Sequence, residues 1–505
     1  MNMVGTIFSA TNVGFDGQII EVECDASRGL PGLQIVGLAN KAIDEAKERV
    51  RSAIKNSHLE FPASKVTINL APANLPKDGA QFDLPIALAI LSVSGQVGSK
   101  DTKDCVFAGE LSLDGNLRSI RGAINIAETA KKHGATRLFL PKENAPQAAL
   151  IKGIEVIGVS SLSELFLHLK KEKLIEARVY QSKTNRLTRS KITIDDVYGQ
   201  PIAKRALSIA AAGHHNILFT GSPGTGKTML AKALVDLLPP LSLTEQIQVT
   251  KLHSLSGEVA SEALLDRPFR SPHHTSSHIS LVGGGRNPVP GEVSLAHLGV
   301  LFLDELPEYP RSSLEAMRQP LEDNEIHISR ANSRVSFPAN FMLVATQNPC
   351  PCGYYGDNLR ECSCSTTQIL QYQKKVSGPL LDRIDLVVHV GRVPHDELLQ
   401  KTNLQQADTI RLQIENARTL QRKRYGKSTV NNATLSSRQI KNQLKLGEDV
   451  RVLLSQASDR LGLTTRSYFK IIKVARTIAD LDQEPQITTK HISEALQYRA
   501  TEKTL

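Results

Sequence analysis

The sequence predicts an α/β protein in three parts. A mixed α/β domain spans 1–170, a nucleotide-binding domain with a parallel sheet spans 195–394, and an all-helical segment spans 395–505. Three observations carry this reading. Ile217-Leu218-Phe219 feeds Gly221-Ser222-Pro223-Gly224-Thr225-Gly226-Lys227-Thr228 and then a helical pattern, which is the strand, phosphate cradle and helix that a nucleoside triphosphate requires. Apolar strand runs alternate with helices on both sides of that string, as a parallel sheet demands. Beyond position 396, the stretches 397–424, 436–444, 447–460, 466–480 and 488–499 repeat with helical period, separated by Gly or Asn.

In the first domain, 19–24 and 65–70 alternate as strands, while 40–54 and 83–91 follow the helical period. Between 170 and 191 come eight Lys or Arg residues with few large apolar ones late in the run, so 171–194 reads as an exposed basic linker. The chain of 505 residues carries a net charge of +10, which favours a polyanionic partner without specifying one. It has no basic-then-apolar leader and no run of apolar residues long enough for a membrane span, which points to a cytoplasmic protein.

The glycines of the phosphate loop turn successive N–H groups toward an anion, and the helix starting near Lys227 adds its positive end. Lys227 would reach the β and γ phosphates of ATP, and Thr228 would bind Mg²⁺. The apolar run 299–303 ends abruptly in Asp304 and Glu305, as a buried parallel strand does at its carboxyl edge. Asp304 would hold Mg²⁺ and Glu305 would polarise the attacking water; the plainer alternative makes either acid a helix cap. The run 341–346 leads to Asn348, a second residue suited to positioning that water.

Six cysteines divide unequally. Cys24 and Cys105 sit alone in strand-like surroundings, while Cys350, Cys352, Cys362 and Cys364 follow the spacing C-x-C-x9-C-x-C. Four thiolates close a tetrahedral Zn²⁺ shell with no open position, so the site would be structural; free or redox-active thiols are the alternative.

Asp196-Val-Tyr-Gly-Gln200, the phosphate loop, the strand ending in Asp304-Glu305, Asn348 and Asp382-Arg383-Ile-Asp385 together resemble an AAA+ ATPase of the magnesium-chelatase and MCM branch. That resemblance implies an arginine finger at Arg383 acting on a neighbouring subunit, sensor 1 at Asn348, and sensor 2 at Arg466 near the γ-phosphate. A finger in trans implies a homo-oligomeric ring, a hexamer. For Arg466 and Arg476, solvated charges on an amphipathic helix are the alternative.

Leu75-Pro-Lys77-Asp78-Gly79 and Ala108-Gly-Glu110 resemble the proteolytic domain of Lon. Where Lon carries its serine this chain has Gln81-Phe82, and where Lon has its lysine this chain has Ile124; neither glutamine nor isoleucine supplies the nucleophile or base. The resemblance therefore implies a Lon-protease-like fold without protease activity. The full combination, with 25–32, 35–38, Arg270-Ser-Pro-His-His274 and Gly291-Glu-Val-Ser-Leu-Ala-His297, is similar to the YifB/ComM family. This implies a hexameric DNA branch-migration helicase of recombination or natural transformation, working with recombination proteins. A magnesium-chelatase-like or protein-remodelling ATPase is the alternative.

Stretch 325–337 alternates around a Ser-Arg-Ala-Asn-Ser turn and reads as a hairpin with Arg330 and Arg334 at its tip. The insert 256–296 adds Arg267, Arg270, three histidines, Gly283 to Gly285 and Arg286. Arg270, Arg286, Arg330 and Arg334 are candidate contacts to DNA phosphates, single-stranded or branched and without sequence preference; subunit contacts are the alternative.

Overall fold

The computed structural model describes residues 4–36, 41–73, 75, 79–180, 192–258, 263–285, 288–330, 333–357, 359–394, 396, 406–426 and 430–499, excluding the side chains of 41–44, 330 and 333. Lys77, Asp78, Arg286, most of the basic linker and the Arg330 side chain lie outside the described residues.

The first sheet comprises β1 (Gly5–Val13), β2 (Asp16–Ser27), β3 (Gly32–Val36), β4 (Lys65–Ala71), β5 (Cys105–Phe107), β6 (Arg137–Pro141) and β7 (Glu155–Val159), in the order β3-β4-β2-β1-β5-β6-β7. Alternation in β2 sets its faces: Ile20, Val22 and Cys24 are buried, while Glu21 and Glu23 point outward. The longer helices accompanying the sheet are α1 (Lys41–Asn56), α2 (Asp83–Val93), α3 (Ala123–Lys132) and α4 (Leu162–Leu169). The unbroken apolar composition of α2 suits its place in the core, where residues from Asp83 through Leu91 are buried. Asp83 is accommodated there by Arg49, whose Nε donates at 2.8 Å, and by the backbone N–H of Leu111. Cys24 and Cys105 are buried as expected, and burial pushes the Cys24 thiol up to about 12.

The second sheet contains β8 (Ile217–Thr220), β9 (Phe269–Arg270), β10 (Val300–Leu303), β13 (Met342–Gln347) and β14 (Leu386–His389). Its order is β9-β10-β13-β8-β14, and every neighbouring pair is parallel. Between β10 and β13 lies a hairpin of β11 (Glu325–Arg330) and β12 (Ser333–Pro338), registered Ile326↔Phe337 and Arg330↔Ser333. The predicted hairpin therefore forms, and Arg334 is exposed near its tip.

Around this sheet stand α5 (Pro201–Gly213), α6 (Lys227–Leu237) and α7 (Leu243–Ser256), followed by α8 (Gln406–Tyr425), α9 (Ser437–Gln443), α10 (Glu448–Leu461), α11 (Thr465–Leu481) and α12 (Thr489–Gln497). The helices from α8 onward do not form a separate core. Ile410, Leu454, Ile478 and Ile492 belong to the same buried cluster as Phe219, Leu234 and Val344. A polar network within the layer joins helix to sheet: His215 bridges Asp385 (3.2 Å) and Thr477 (2.8 Å), and Asn432 spans Thr477 and Asp480. Arg476, read from sequence as a possible solvated charge, is only 3% exposed and bonds Asp480 and the carbonyls of Glu484 and Pro485. No helix among the described residues is long and apolar enough to cross a membrane.

The region after β7 folds back on the first sheet, with the Arg178 N–H bonding the carbonyl of Val156 at 2.7 Å. α7 joins that α/β unit to the second sheet. Lys251 on α7 is 4% exposed; its Nζ donates to Glu128 at 2.8 Å and lies 4.0 Å from the Phe15 ring centre. Ser254 one turn later bonds Gln147 and accepts from the Gly122 N–H. Lys251→Ala is expected to weaken this junction by about 2 kcal/mol, because Glu128 loses its buried partner. Hydrogen exchange of α3 and α7 amides measures this, and unchanged protection there would contradict the assignment.

Candidate active site

Because all strands of the second sheet are parallel, the polar residues that follow them emerge on one edge. After β8 comes the phosphate loop, 221–226, which ends at the start of α6. Gly221 approaches the backbone so closely that a Cβ would lie 2.2 Å from the carbonyl oxygen of Val390, and Gly226 takes a left-handed φ of 89°. Ser222 and Thr225 are buried, and Pro223, Gly224 and Thr228 are exposed.

Lys227 folds across this loop. Its Nζ donates to the carbonyls of Gly221 and Ser222 and, at 3.1 Å, to Oδ1 of Asn348, which follows β13. Burial pushes the Lys227 ammonium down to about 8, against the opposing pull of Asp304 and Glu305. Asp304 and Glu305 follow β10. The Thr346 hydroxyl donates to Asp304 at 2.5 Å and accepts from the Glu305 N–H at 3.0 Å, while Glu305 has a left-handed φ of 52°. A non-glycine residue in that region is uncommon outside turns and functional sites. The structure thus brings together Lys227, Asp304, Glu305 and Asn348 beside the phosphate loop. The donor set suits a nucleotide with Mg²⁺: Thr228 and Asp304 would offer oxygen ligands, and Lys227 with the loop N–H groups would face the phosphates.

Arg383 and Arg466 lie elsewhere. Arg383 donates to the carbonyls of Arg318 and Pro379 and to Glu322, and Arg466 at the start of α11 donates to the other oxygen of Glu322 at 2.7 Å. With Lys470 and Lys473 they line a cleft of about 680 Å³ that shares no residue with the cleft of about 850 Å³ at the phosphate loop. Within one chain, Arg466 is therefore paired with the candidate finger and stands apart from the chain's own phosphate loop. Asn216 orients the finger segment, bonding the carbonyl of Arg383 at 2.9 Å and the N–H of Leu343 at 2.8 Å.

The four cysteines converge. Their sulfurs all lie within 4.8 Å of one another, with Cys350 3.3 Å from Cys352 and 3.6 Å from Cys362. A Zn–S bond of about 2.3 Å sets tetrahedral S···S separations of about 3.8 Å, so this donor set fits zinc. The backbone N–H groups of Tyr355 and Cys352 point at sulfurs of Cys350 and Cys364, as donors to thiolates do. Among the described residues no other cluster of this kind forms, and His273 instead bonds Thr275.

One expectation for the basic insert changes. Arg270 is forked between Glu258 and Glu292 with four N–O contacts of 2.6–3.0 Å, so its charge is already matched by two carboxylates instead of facing phosphate. Arg267 is nearly buried against Glu245 and the carbonyls of Pro239 and Leu298. Glu322, Thr346 and Asn216 escaped the sequence reading; only the polar ending of the 341–346 run hinted at Thr346.

In the first α/β unit, Gln81 is buried with its amide 3.3 Å from Thr11, and Ile124 is fully buried in apolar surroundings. Thr11, Gln81, Glu110, Val335 and Phe337 share a cavity of about 460 Å³ between this unit and the β11–β12 hairpin.

A parallel sheet carrying a phosphate loop, acidic strand end and opposing asparagine defines an AAA+ ATPase-type module. Residues 193–398 match the family model for magnesium chelatase, subunit ChlI, residues 22–144 match that for subunit ChlI of Mg-chelatase, and 405–499 match its C-terminal model. The chain is 43% identical to competence protein ComM of Haemophilus influenzae over 98% of its own length and 97% of that protein. It is 42% identical to YifB of Escherichia coli, covering 98% and 96%. Similarity to the magnesium-chelatase 67 kDa subunit of Chlorobaculum parvum is 29%, over 31% of this chain and 23% of that one. The chain belongs to the YifB/ComM family of magnesium-chelatase-like AAA+ proteins.

Bound phosphate favours charged Lys227, so ATP affinity is expected to be flat below pH 8 and to fall above it, with proton uptake on binding at pH 9. Calorimetry in buffers of different ionisation enthalpy measures that uptake, and proton release or no proton exchange at pH 9 would refute it.

Proposed function

We propose that this chain is a subunit of an ATP-hydrolysing hexameric ring that moves along single-stranded or branched DNA, as a branch-migration motor of recombination or natural transformation. The observation that carries this is the separation of Arg383 and Arg466, joined at Glu322, from the cleft of Lys227, Asp304, Glu305 and Asn348. Two half-sites on one chain call for a second copy to supply the arginines. Lys227 and the 221–226 loop hold the phosphates, Thr228 and Asp304 hold Mg²⁺, and Glu305 polarises water. Asn348 links the attack position to Lys227, and Arg383 with Arg466 neutralises charge from the neighbour.

DNA as the cargo is supported by the net charge of +10, by the hairpin carrying Arg330 and Arg334, and by a relative named a competence protein. Arg330, Arg334 and Arg286 remain our candidate contacts, and Arg270 is withdrawn. Domains 1–170, 195–394 and 395–505, joined by the linker 171–194, act as a Lon-like platform without protease activity, an ATPase core and a helical lid. Zn²⁺ in the Cys350, Cys352, Cys362 and Cys364 shell is structural. Recombination proteins as partners and a cytoplasmic location complete the reading. The second reading, a protein-remodelling ATPase, draws on the magnesium-chelatase likeness.

Arg383→Ala is expected to lower ATPase kcat by about 10³, as for arginine fingers generally. Mixing inactive Lys227→Ala and Arg383→Ala chains should restore part of the activity, because intact sites form where the two meet; no restoration would count against a shared site. Stimulation of the wild-type ATPase by branched DNA at low salt, weakened by Arg334→Ala, tests the cargo. An ATPase indifferent to DNA would favour the second reading.

A further inference from the structure

The cysteine loop follows Asn348 directly, and it returns to the phosphate loop. Gly353, with a φ of 85°, lies so near Pro223 that a Cβ there would come within 2.8 Å of the proline ring. Asp357 is the anchor. Its side chain is 3% exposed, stands near the Ser222 hydroxyl of the phosphate loop, and pairs with Arg392 after β14 at 3.1 Å. It also accepts the N–H groups of Leu359 and Arg360 at 2.8 and 3.1 Å, fixing where those residues stand. Arg360 lies over the Tyr354 ring, 5.2 Å from its centre, and bonds its hydroxyl at 2.9 Å.

Leu359 and Arg360 thereby line the same cleft of about 850 Å³ as Ser222 to Gly226, together with Tyr198 and Met229. Leu359, Met229 and Tyr198 are 75%, 40% and 38% exposed, an unusual grouping of bare apolar surface beside a phosphate site. A flat heteroaromatic base attached to a phosphate chain fits such a slot.

We propose that the four-cysteine loop is a wall of the nucleotide cleft, with Leu359 covering the purine base against Tyr198 and Met229, and that zinc on the four thiols sets nucleotide affinity by holding this wall in place. The metal half rests on the zinc reading above. The wall half rests on the contacts of Gly353, Asp357 and Leu359 alone. Asp357 anchors the middle of the loop, and closing the thiol shell ties its two ends together, so that less of the loop's freedom is lost when nucleotide binds.

Binding of a fluorescent ADP and of inorganic tripolyphosphate, with zinc content measured on the same full-length samples, tests both halves. Leu359→Ser is expected to weaken ADP about fivefold while leaving tripolyphosphate affinity and zinc unchanged, since the lost contact is with the base. Unchanged ADP affinity in Leu359→Ser would overturn the wall. The pair Cys362→Ser with Cys364→Ser should lose zinc and weaken ADP at least as much, with tripolyphosphate binding reporting an intact phosphate loop. Zinc lost at wild-type ADP affinity would overturn the linkage. Wild-type protein purified without zinc under reducing conditions would sink the metal reading and the linkage with it, while Leu359→Ser still decides the wall.

Discussion

Parallel pairing of β8 with β13 on one side and β14 on the other is the constraint on which the remaining geometry depends. The register Phe219↔Thr346 and Thr220↔Gln347 fixes where the phosphate loop stands relative to Asn348, and Leu303↔Ala345 fixes where Asp304 stands relative to Thr346. A slip by one residue would turn every side chain to the opposite face and separate Lys227 from Asn348. β8, β10 and β13 are fully buried, so this register is held by apolar packing on both faces.

The opposite ends of the same strands organise the arginines. Asn216, just before β8, ties Leu343 to the carbonyl of Arg383, and Asp385 accepts from the Asn216 N–H while facing His215. Through His215 and Thr477 that end of the sheet is fastened to α11, the helix whose first turn carries Arg466. One rigid sheet therefore carries a phosphate-binding edge and an arginine-bearing edge, and movement of α11 relative to the sheet is opposed by a buried, hydrogen-bonded network.

Much of this was legible in the sequence because it is local. The phosphate string, the acidic end of β10 and the alternating hairpin are contiguous, and their spacing reports backbone conformation directly. Helix positions after 406 were readable for the same reason, since an amphipathic period survives whatever the helix packs on. The pairing of Arg270 with Glu258 and Glu292, and of Arg476 with Asp480 and the 484–485 carbonyls, was not legible, because even partners near in sequence meet an arginine only when the backbone between them turns them toward it. Glu322 was invisible for a related reason, lying in an ordinary acidic stretch with nothing to mark its two guanidinium partners.

The sequence by itself determined the chemistry available: a loop for phosphates, carboxylates for a cation and water, four thiols for a metal, and arginines in number. Tertiary structure alone decided how these are partitioned. It put Arg383 and Arg466 on one carboxylate away from the phosphate loop, closed the four sulfurs to within 4.8 Å, and laid the cysteine loop against Ser222 and Pro223. The physical reason is that residue type and short spacing fix what a group does, whereas charge pairing and burial depend on how separate elements pack, as where Arg466 meets Glu322 from 144 residues away.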